Sequence, residues 1–459
     1  MSFLGRKEEL RKLSKFLACN DQQACLVLGR RRVGKSALIK EALQKSDIEF
    51  IYYECKQTSE TNNVQTLARL IAEKMSLPRL DFRDMEECLT YLVENAAKNN
   101  FCLVLDEYPY LRDCIKGLDS ILQCLIDKYA DESHMKLILC GSFVDVMKSL
   151  LLVENPLYGR INLTIDLKPM DYYEASLFYP DFCNEDKVRL YSVFGGIPYY
   201  NKYINHKESV KENIIRLVSS QGAMLENEVM TYLKSEISKM TNANEIFESM
   251  ARGFSRYSDI LSQSHVSSSP AMADVLDKLI RMNLVKKQAP INDENNKRKS
   301  GYYISDNLSL FYYRFIFRNT SQQSIMSPEV FYDRYIDKEF EAYHVPLVFE
   351  EICKQYLIRL NWFGEIPVVF DKIGKYYYDD KKNKINGEFD IVTQDPEGFI
   401  FYEAKFRKEP ITQAMIEKEI QQVKATGLYC YKYGFFSKSG FSAEKKDNYI
   451  FYSIDDLYV

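Results

Sequence analysis

The eight residues Gly29-Arg30-Arg31-Arg32-Val33-Gly34-Lys35-Ser36 restrict the folds open to this chain more than any other stretch. The apolar run Cys25-Leu26-Val27-Leu28 leads into them, and a helical pattern from Ala37 to Leu43 leads out. A G-x-x-x-x-G-K-S string between a buried strand and a helix predicts a phosphate-binding loop. Its glycines let the backbone curl, so that successive N–H groups and the start of the helix at Ala37 face phosphate oxygens. Lys35 can reach the β- and γ-phosphates of a nucleoside triphosphate, and the Ser36 hydroxyl can ligate Mg²⁺.

At 459 residues the chain is too long for one core, and two to four domains are expected. A net charge of −4 gives no global basic field that would announce a nucleic-acid partner, although local basic patches remain open. The 11 cysteines lie apart without C-x-x-C pairs, which points to reduced thiols in a cytoplasmic protein and away from a disulfide frame. Only four histidines occur, His134, His206, His265 and His344, too scattered for a histidine metal centre or a catalytic triad. No apolar leader opens the chain and no stretch approaches the ~18 apolar residues of a membrane span, so no membrane partner is expected.

Further along, Phe101-Cys102-Leu103-Val104-Leu105-Asp106-Glu107 reads as a strand buried on both faces of a parallel sheet. Its two carboxylates fall at the C-terminal edge, where open α/β sheets hold their ligands. Asp106 then takes the Mg²⁺ side and Glu107 orients or activates the attacking water. A second buried run, Lys136 to Gly141, ends in Ser142, which is suited to sensing the γ-phosphate or that water. Arg160 precedes the alternating run Ile161 to Leu167; it can act as an arginine finger or as a surface salt-bridge residue, and the sequence leaves both open. Strands alternating with helices over residues 24 to 167 predict a parallel, doubly wound sheet.

These motifs together resemble the P-loop ATPases grouped as archaeal-type, relatives of the AAA+ and STAND proteins. The match includes Gly5-Arg6-x-x-Glu9-Leu10, the Gly29–Ser36 loop, Asp106-Glu107, Leu157-Tyr158-Gly159-Arg160 and Gly195-Gly196-Ile197-Pro198-Tyr199-Tyr200. The resemblance implies ATP and Mg²⁺ as ligands, Gly5 and Arg6 near the adenine, and the Gly-Gly-Ile-Pro segment in a helical lid. In that family two small polar residues often end the sensor strand, whereas here Phe143 follows Ser142.

Residues 206 to 320 change character: amphipathic helices, then a short β pair formed by Leu284–Lys287 and Gly301–Ile304. Helix, helix, hairpin predicts a winged-helix arrangement. A DNA-reading version would use the helix 270 to 282 and the loop tip Lys297-Arg298-Lys299. That helix carries Lys278 and Arg281 but also Asp274 and Asp277, so phosphate attraction is modest and a structural or interdomain role is favoured over DNA reading.

From about residue 335 the chain restarts with a helix, His344 to Leu360, that carries Glu350. The turn Asp395-Pro396-Glu397-Gly398 then predicts a hairpin whose paired residue numbers sum to 793. Asp390 would lie opposite Glu403, and Glu388 opposite Lys405, all on one face. Two carboxylates ~5 Å apart repel by roughly 3 kcal/mol at an effective dielectric of ~20. A divalent cation between them would reverse the sign. This segment resembles the C-terminal domain of unknown function that commonly follows such ATPases, itself similar to restriction-endonuclease-like nucleases. By that resemblance Glu350, Asp390 and Glu403 bind metal, Lys405 assists hydrolysis, and Gln421 or Gln422 helps orient a strand.

The expected architecture is thus a multidomain α/β chain. It comprises a P-loop ATPase core over 1–168, a helical lid over 169–215, a winged-helix domain over 216–325 and a nuclease-like domain over 335–459. The expected function is Mg²⁺-dependent ATP hydrolysis whose nucleotide state controls a DNA-acting rear domain. A signalling or scaffold ATPase with an inert binding domain and an unidentified protein partner is the alternative, and a helicase or loader is a third. Assembly into a homo-oligomer would decide whether Arg160 acts within its own chain or on a neighbour.

Overall fold

The computed structural model describes residues 3–96, 100–237, 240–266, 268–294, 296, 299–366, 368–380 and 385–459. Lys297 and Arg298 of the basic loop tip lie outside the described residues. The chain divides into two compact units, Met1–Pro169 and Met170–Val459. The segment expected to form a lid begins at that division and falls within the second unit.

The first unit is built on strands β1 (Gln23–Leu28), β2 (Glu49–Glu54), β3 (Phe101–Asp106), β4 (Lys136–Gly141) and β5 (Ile161–Asp166). They pair in the order β2-β3-β4-β1-β5, every neighbouring pair parallel. All six residues of β3 and all six of β4 are buried, as expected where helices cover both faces. Helices Glu60–Lys74, Met85–Ala96 and Leu118–Lys128 turn Val64, Leu67, Ile71, Leu89, Leu92 and Leu122 into that core. Parallel strands align their C-terminal ends, so the residues following β1, β3 and β4 meet along one edge.

The second unit opens with helices and carries the antiparallel hairpin β6 (Val285–Gln288) and β7 (Gly301–Ile304). The Ser269–Arg281 helix before the hairpin is N-capped by Ser268, whose hydroxyl accepts from the Ala271 N–H. Met272, Val275, Leu276 and Leu279 make its buried stripe. Lys278, one of its two cations, pairs with Asp274 on the same helix.

After the Val345–Phe363 helix come β8 (Lys372–Asp380), β9 (Ile385–Asp395), β10 (Gly398–Lys405), β11 (Ile411–Thr412), β12 (Cys430–Ser437), β13 (Phe441–Ser442) and β14 (Tyr449–Ser453). Five of them form a mixed sheet in the order β14-β12-β10-β9-β8. The β9–β10 hairpin has the expected register from Asp395↔Gly398 to Ile391↔Tyr402. Pairing stops there, one residue short of Asp390 and Glu403. From that point β9 keeps only its β8 partner, with Phe389 opposite Tyr376 and Glu388 opposite Tyr377, while Glu403 is paired with Phe435 of β12. No helix among the described residues is long and apolar enough to cross a membrane.

Candidate functional site

The loop after β1 closes tightly against the end of β5. Gly29 has φ +149°, and a Cβ there would stand 2.4 Å from the Leu167 carbonyl oxygen. Only glycine fits that approach. Gly34, at φ +100°, starts the helix Lys35–Gln44. The Lys35 side chain is buried, and its ammonium donates to the carbonyl oxygens of Gly29 at 2.8 Å and Arg30 at 3.1 Å. Burial lowers its pKa from the ordinary lysine range, against the opposing pull of Glu107 and Asp106.

Ser36 Oγ donates to Asp106 Oδ2 at 2.7 Å, joining the helix start to the end of β3. Tyr52, on β2, donates its hydroxyl to the same oxygen, and the Glu107 N–H donates to Asp106 Oδ1 at 3.0 Å. Burial alone would raise the Asp106 pKa. Hydrogen bonds from Cys140, Tyr52, Ser36 and the Glu107 backbone outweigh it and hold the carboxyl below the usual range.

Glu107 sits at φ 54°, ψ 43°, left-handed, and begins the helix Tyr108–Cys114. In a continuing strand Asp106 and Glu107 would face opposite sides; the left-handed turn breaks that alternation. The Glu107 carboxylate accepts from Ser142 Oγ at 3.1 and 3.0 Å, which ties the ends of β3 and β4 together. Six non-glycine residues among those described have positive φ, and three of them, Arg6, Arg32 and Glu107, flank this edge. Such backbone strain concentrates where function over-determines geometry.

Arg6 is buried and reaches the Lys168 carbonyl just past β5, while its Nη1 donates to Glu9 at 3.3 Å. The Gly5-Arg6 box therefore stands beside the strand that closes over Gly29. Arg31 donates to the Tyr110 hydroxyl at 3.3 Å and lies 5.5 Å from the centre of the Phe143 ring. Phe143 is thus a platform for a loop arginine instead of a second polar sensor. Arg160 is not brought to the loop. It precedes β5, whose first residue pairs with Ala24, so about 17 Å of strand or more separates it from Gly29. Its guanidinium forms a two-bond ion pair with Asp127, both contacts at 2.7 Å.

Sequence reasoning missed Tyr52 and Cys140. Both are visible as residues of β-rich runs, but only the strand order puts β2 and β4 on either side of β3.

In the second unit Glu350, Asp390, Glu403 and Lys405 occupy one electrostatic neighbourhood. The Glu350 carboxyl is pushed up to about 8, first by burial and then by Asp390. Burial also raises Glu403, against its ion pair with Lys405. The expected cross-strand pairs are replaced. Lys375 of β8, unforeseen from the sequence, donates to Asp390 Oδ1 at 2.7 Å and Glu388 Oε1 at 2.8 Å. Glu388 is therefore neutralised by Lys375 and not by Lys405. Among the described residues no three His, Cys, Asp or Glu side chains stand close enough to hold a metal ion. Lysine ammonium groups supply the compensating charge instead.

The all-parallel sheet with a Gly-x-x-x-x-Gly-Lys-Ser loop at its C-terminal edge defines a P-loop nucleotide-hydrolase fold. Residues 3–204 match a family described as an ATPase domain predominantly from Archaea. Residues 312–423 match a family of archaeal and bacterial proteins of unknown function. The chain thus carries an archaeal-type ATPase domain followed by a C-terminal domain of that second family. A curated relative, uncharacterized protein MJECL04 of Methanocaldococcus jannaschii, is 27% identical over 456 residues, 97% of each chain. Among solved structures, the Walker-type ATPase PABY2304 of Pyrococcus abyssi is similar, with a TM-score of 0.51 at 21% identity. That similarity covers 68% of this chain and 96% of the other, and it supports the fold. The Aeropyrum pernix ORC2 protein is more distant, at TM-score 0.45 and 14% identity over 67% of this chain and 91% of its own.

Proposed function

We propose that this ATPase binds and hydrolyses Mg²⁺-ATP in its first unit and that its nucleotide state controls a DNA-acting, nuclease-like C-terminal domain. One observation carries the ATPase part: Lys35, Ser36, Asp106, Glu107 and Ser142 converge on a single sheet edge through the 2.7 Å Ser36–Asp106 bond and the Glu107–Ser142 pair. Adjacent hydroxyl and carboxylate oxygens suit a hard cation, so Ser36 and Asp106 would hold Mg²⁺. Bound there, Mg²⁺ supplies charge neutralisation for the β- and γ-phosphates. The Lys35 ammonium exchanges its loop carbonyls for phosphate oxygens. Glu107, oriented by Ser142, accepts a hydrogen bond from the attacking water and aims it in line. Gly29 through Ala37 cradle the phosphates with backbone N–H groups, and Gly5 and Arg6 border the base. The free thiols of all eleven cysteines support a reducing, cytoplasmic setting.

For the rear domain we read residues 216–325 as a winged-helix module, 169–215 as the lid and 335–459 as the nuclease-like domain. The set Glu350, Asp390, Glu403 and Lys405 supports this reading. The carboxylates as arranged do not fit a metal ion, because Lys375 and Lys405 already neutralise them. That same feature favours the second reading, a signalling or scaffold ATPase whose rear domain binds a partner without cutting. Incubation of plasmid DNA with Mg²⁺ and ATP, for wild type, Lys35→Ala and Lys405→Ala, decides between them. Lys35→Ala should abolish ATP turnover and alter cleavage; Lys405→Ala should keep turnover and lose cleavage. Equal inertness towards DNA in every nucleotide state would leave the scaffold reading.

A further inference from the structure

Beside the carboxylate cluster, a cleft of about 370 Å³ opens between the β6–β7 hairpin and the Val345–Phe363 helix. Its size is that of a small-ligand pocket. Its aromatic lining comes from Tyr303 of β7, which shares a face of the hairpin with its cross-strand partner Lys286. Lys354 on the long helix and Arg314 line it as well. Glu350 and Asp390 border the same space.

The charges in this cleft are not balanced pair by pair. Lys286 is held by Glu351, and Lys375 by Glu388 and Asp390. The Lys354 ammonium makes no hydrogen bond or ion pair with any described residue, and burial, foremost, lowers its pKa. Arg314 donates through Nε and Nη2 to the Ala251 carbonyl, but its buried Nη1 has no acceptor. Glu351 and Glu339 offset part of the burial cost of these two cations, but donors withdrawn from water without an acceptor remain costly, and an anion entering the cleft would remove that cost. Phosphate is such an anion. A flat ring partner would lie against Tyr303, since base–aromatic stacking tolerates every base. An A- or B-form duplex cannot enter a space this small, whereas one splayed nucleotide can.

We propose that this cleft receives one nucleotide unit of a single-stranded nucleic acid, with its phosphate on Lys354 and Arg314 and its base against Tyr303. The proposal rests on the DNA-acting reading of the second unit for its ligand class, and it adds the strandedness and the place of binding. The carboxylate cluster then lies next to the captured backbone, and the hairpin is the wall that holds the base.

The test is fluorescence anisotropy with the full chain and a labelled ten-nucleotide oligothymidylate, in EDTA so that no cleavage intervenes. The single strand should bind, the matching duplex and thymidine monophosphate at least ten-fold more weakly. Lys354→Glu should weaken binding ten-fold or more, Tyr303→Ala several-fold, and Tyr303→Phe not at all. ATP turnover without DNA and urea unfolding followed by the fluorescence of Trp362 should match the wild type in all three variants, which shows that both units are folded. Wild-type affinity in both Lys354→Glu and Tyr303→Ala, or a duplex or mononucleotide binding as tightly as the strand, overturns the proposal. Strand binding that survives in EDTA with no cleavage in Mg²⁺ removes the nuclease reading and leaves the cleft assignment standing.

Discussion

Asp106 shows how one side chain can be set by neighbours on three different segments. Its Oδ2 accepts from Ser36 and Tyr52, and its Oδ1 from the Glu107 N–H. A metal arriving at that carboxylate would take Ser36 as a partner, and Tyr52 would go on holding the same oxygen in place. Charge-assisted hydrogen bonds of this kind contribute about 1.5–3 kcal/mol. Tyr52→Phe should therefore raise the Mg²⁺ concentration needed for half-maximal ATP turnover by about ten-fold or more, while the fold is kept. A magnesium titration at saturating ATP checks it, and an unchanged midpoint would remove Tyr52 from the site. Arg160 gives the opposite lesson. The sequence leaves it between an arginine finger and a surface salt bridge, and the structure pairs it with Asp127 at the far edge of the sheet from the loop.

At the scale of strands and turns, what was legible in the sequence was whatever local chemistry dictates. The loop, the buried β3 and β4 runs and the 793 register all follow from glycine, apolar runs and a strong turn. The β6–β7 hairpin is likewise found where the pattern put it. The extent of pairing was not legible. Whether β9 stays with β10 past Ile391 depends on β8, whose bulge between Gly374 and Tyr376 and whose Lys375 draw Asp390 and Glu388 to their own side. No local pattern announces a third strand. For the same reason the sequence listed the carboxylates of the cluster but assigned their counter-charge to a metal. The tightest local demand lies at Gly29. An alanine there would meet a backbone carbonyl at 2.4 Å, in a conformation that side chains rarely adopt. The strain is of order 1–3 kcal/mol before any clash is counted. Gly29→Ala should lose binding of a fluorescent ATP analogue and lower the midpoint of thermal unfolding.

For the molecule as a whole, the two units answer to different conditions. His344 lies in the second, fully buried among Phe311, Phe315 and Phe340, with Nε2 on the Ser192 carbonyl and Nδ1 without a partner. Burial, aided by Arg314, lowers its pKa to about 3. The folded state thus prefers the neutral ring. That contribution is complete above the ordinary histidine pKa and is lost as pH falls from there towards about 3. By linkage, the unit should be about 2 kcal/mol less stable at pH 5 than at pH 8 on this account. Glu350, pushed up to about 8, acts in the reverse sense, with stability lost as pH rises through the range between the ordinary carboxylate value and about 8. The clean readout is therefore a difference between proteins. The sole tryptophan, Trp362, sits on the second unit's long helix and reports its urea unfolding. His344→Gln should lessen the acid-side loss by roughly that amount; the same pH dependence in variant and wild type would show that His344 does not titrate as described.

The contact of Gly29 with Leu167 has a further consequence. Leu167 hydrogen-bonds through its N–H to the Leu28 carbonyl at 2.7 Å, and the Arg6 guanidinium grips the next residue, Lys168. The polypeptide that leaves the first unit is therefore the same strip of backbone against which the phosphate loop is pressed. Any shift of that loop as phosphates come and go must displace Leu167 or compress against it. Three residues after Leu167 the chain has become the second unit. Linkage runs in both directions, so tension applied from the second unit along this tether would be felt first as a change in how well the loop can close on a nucleotide.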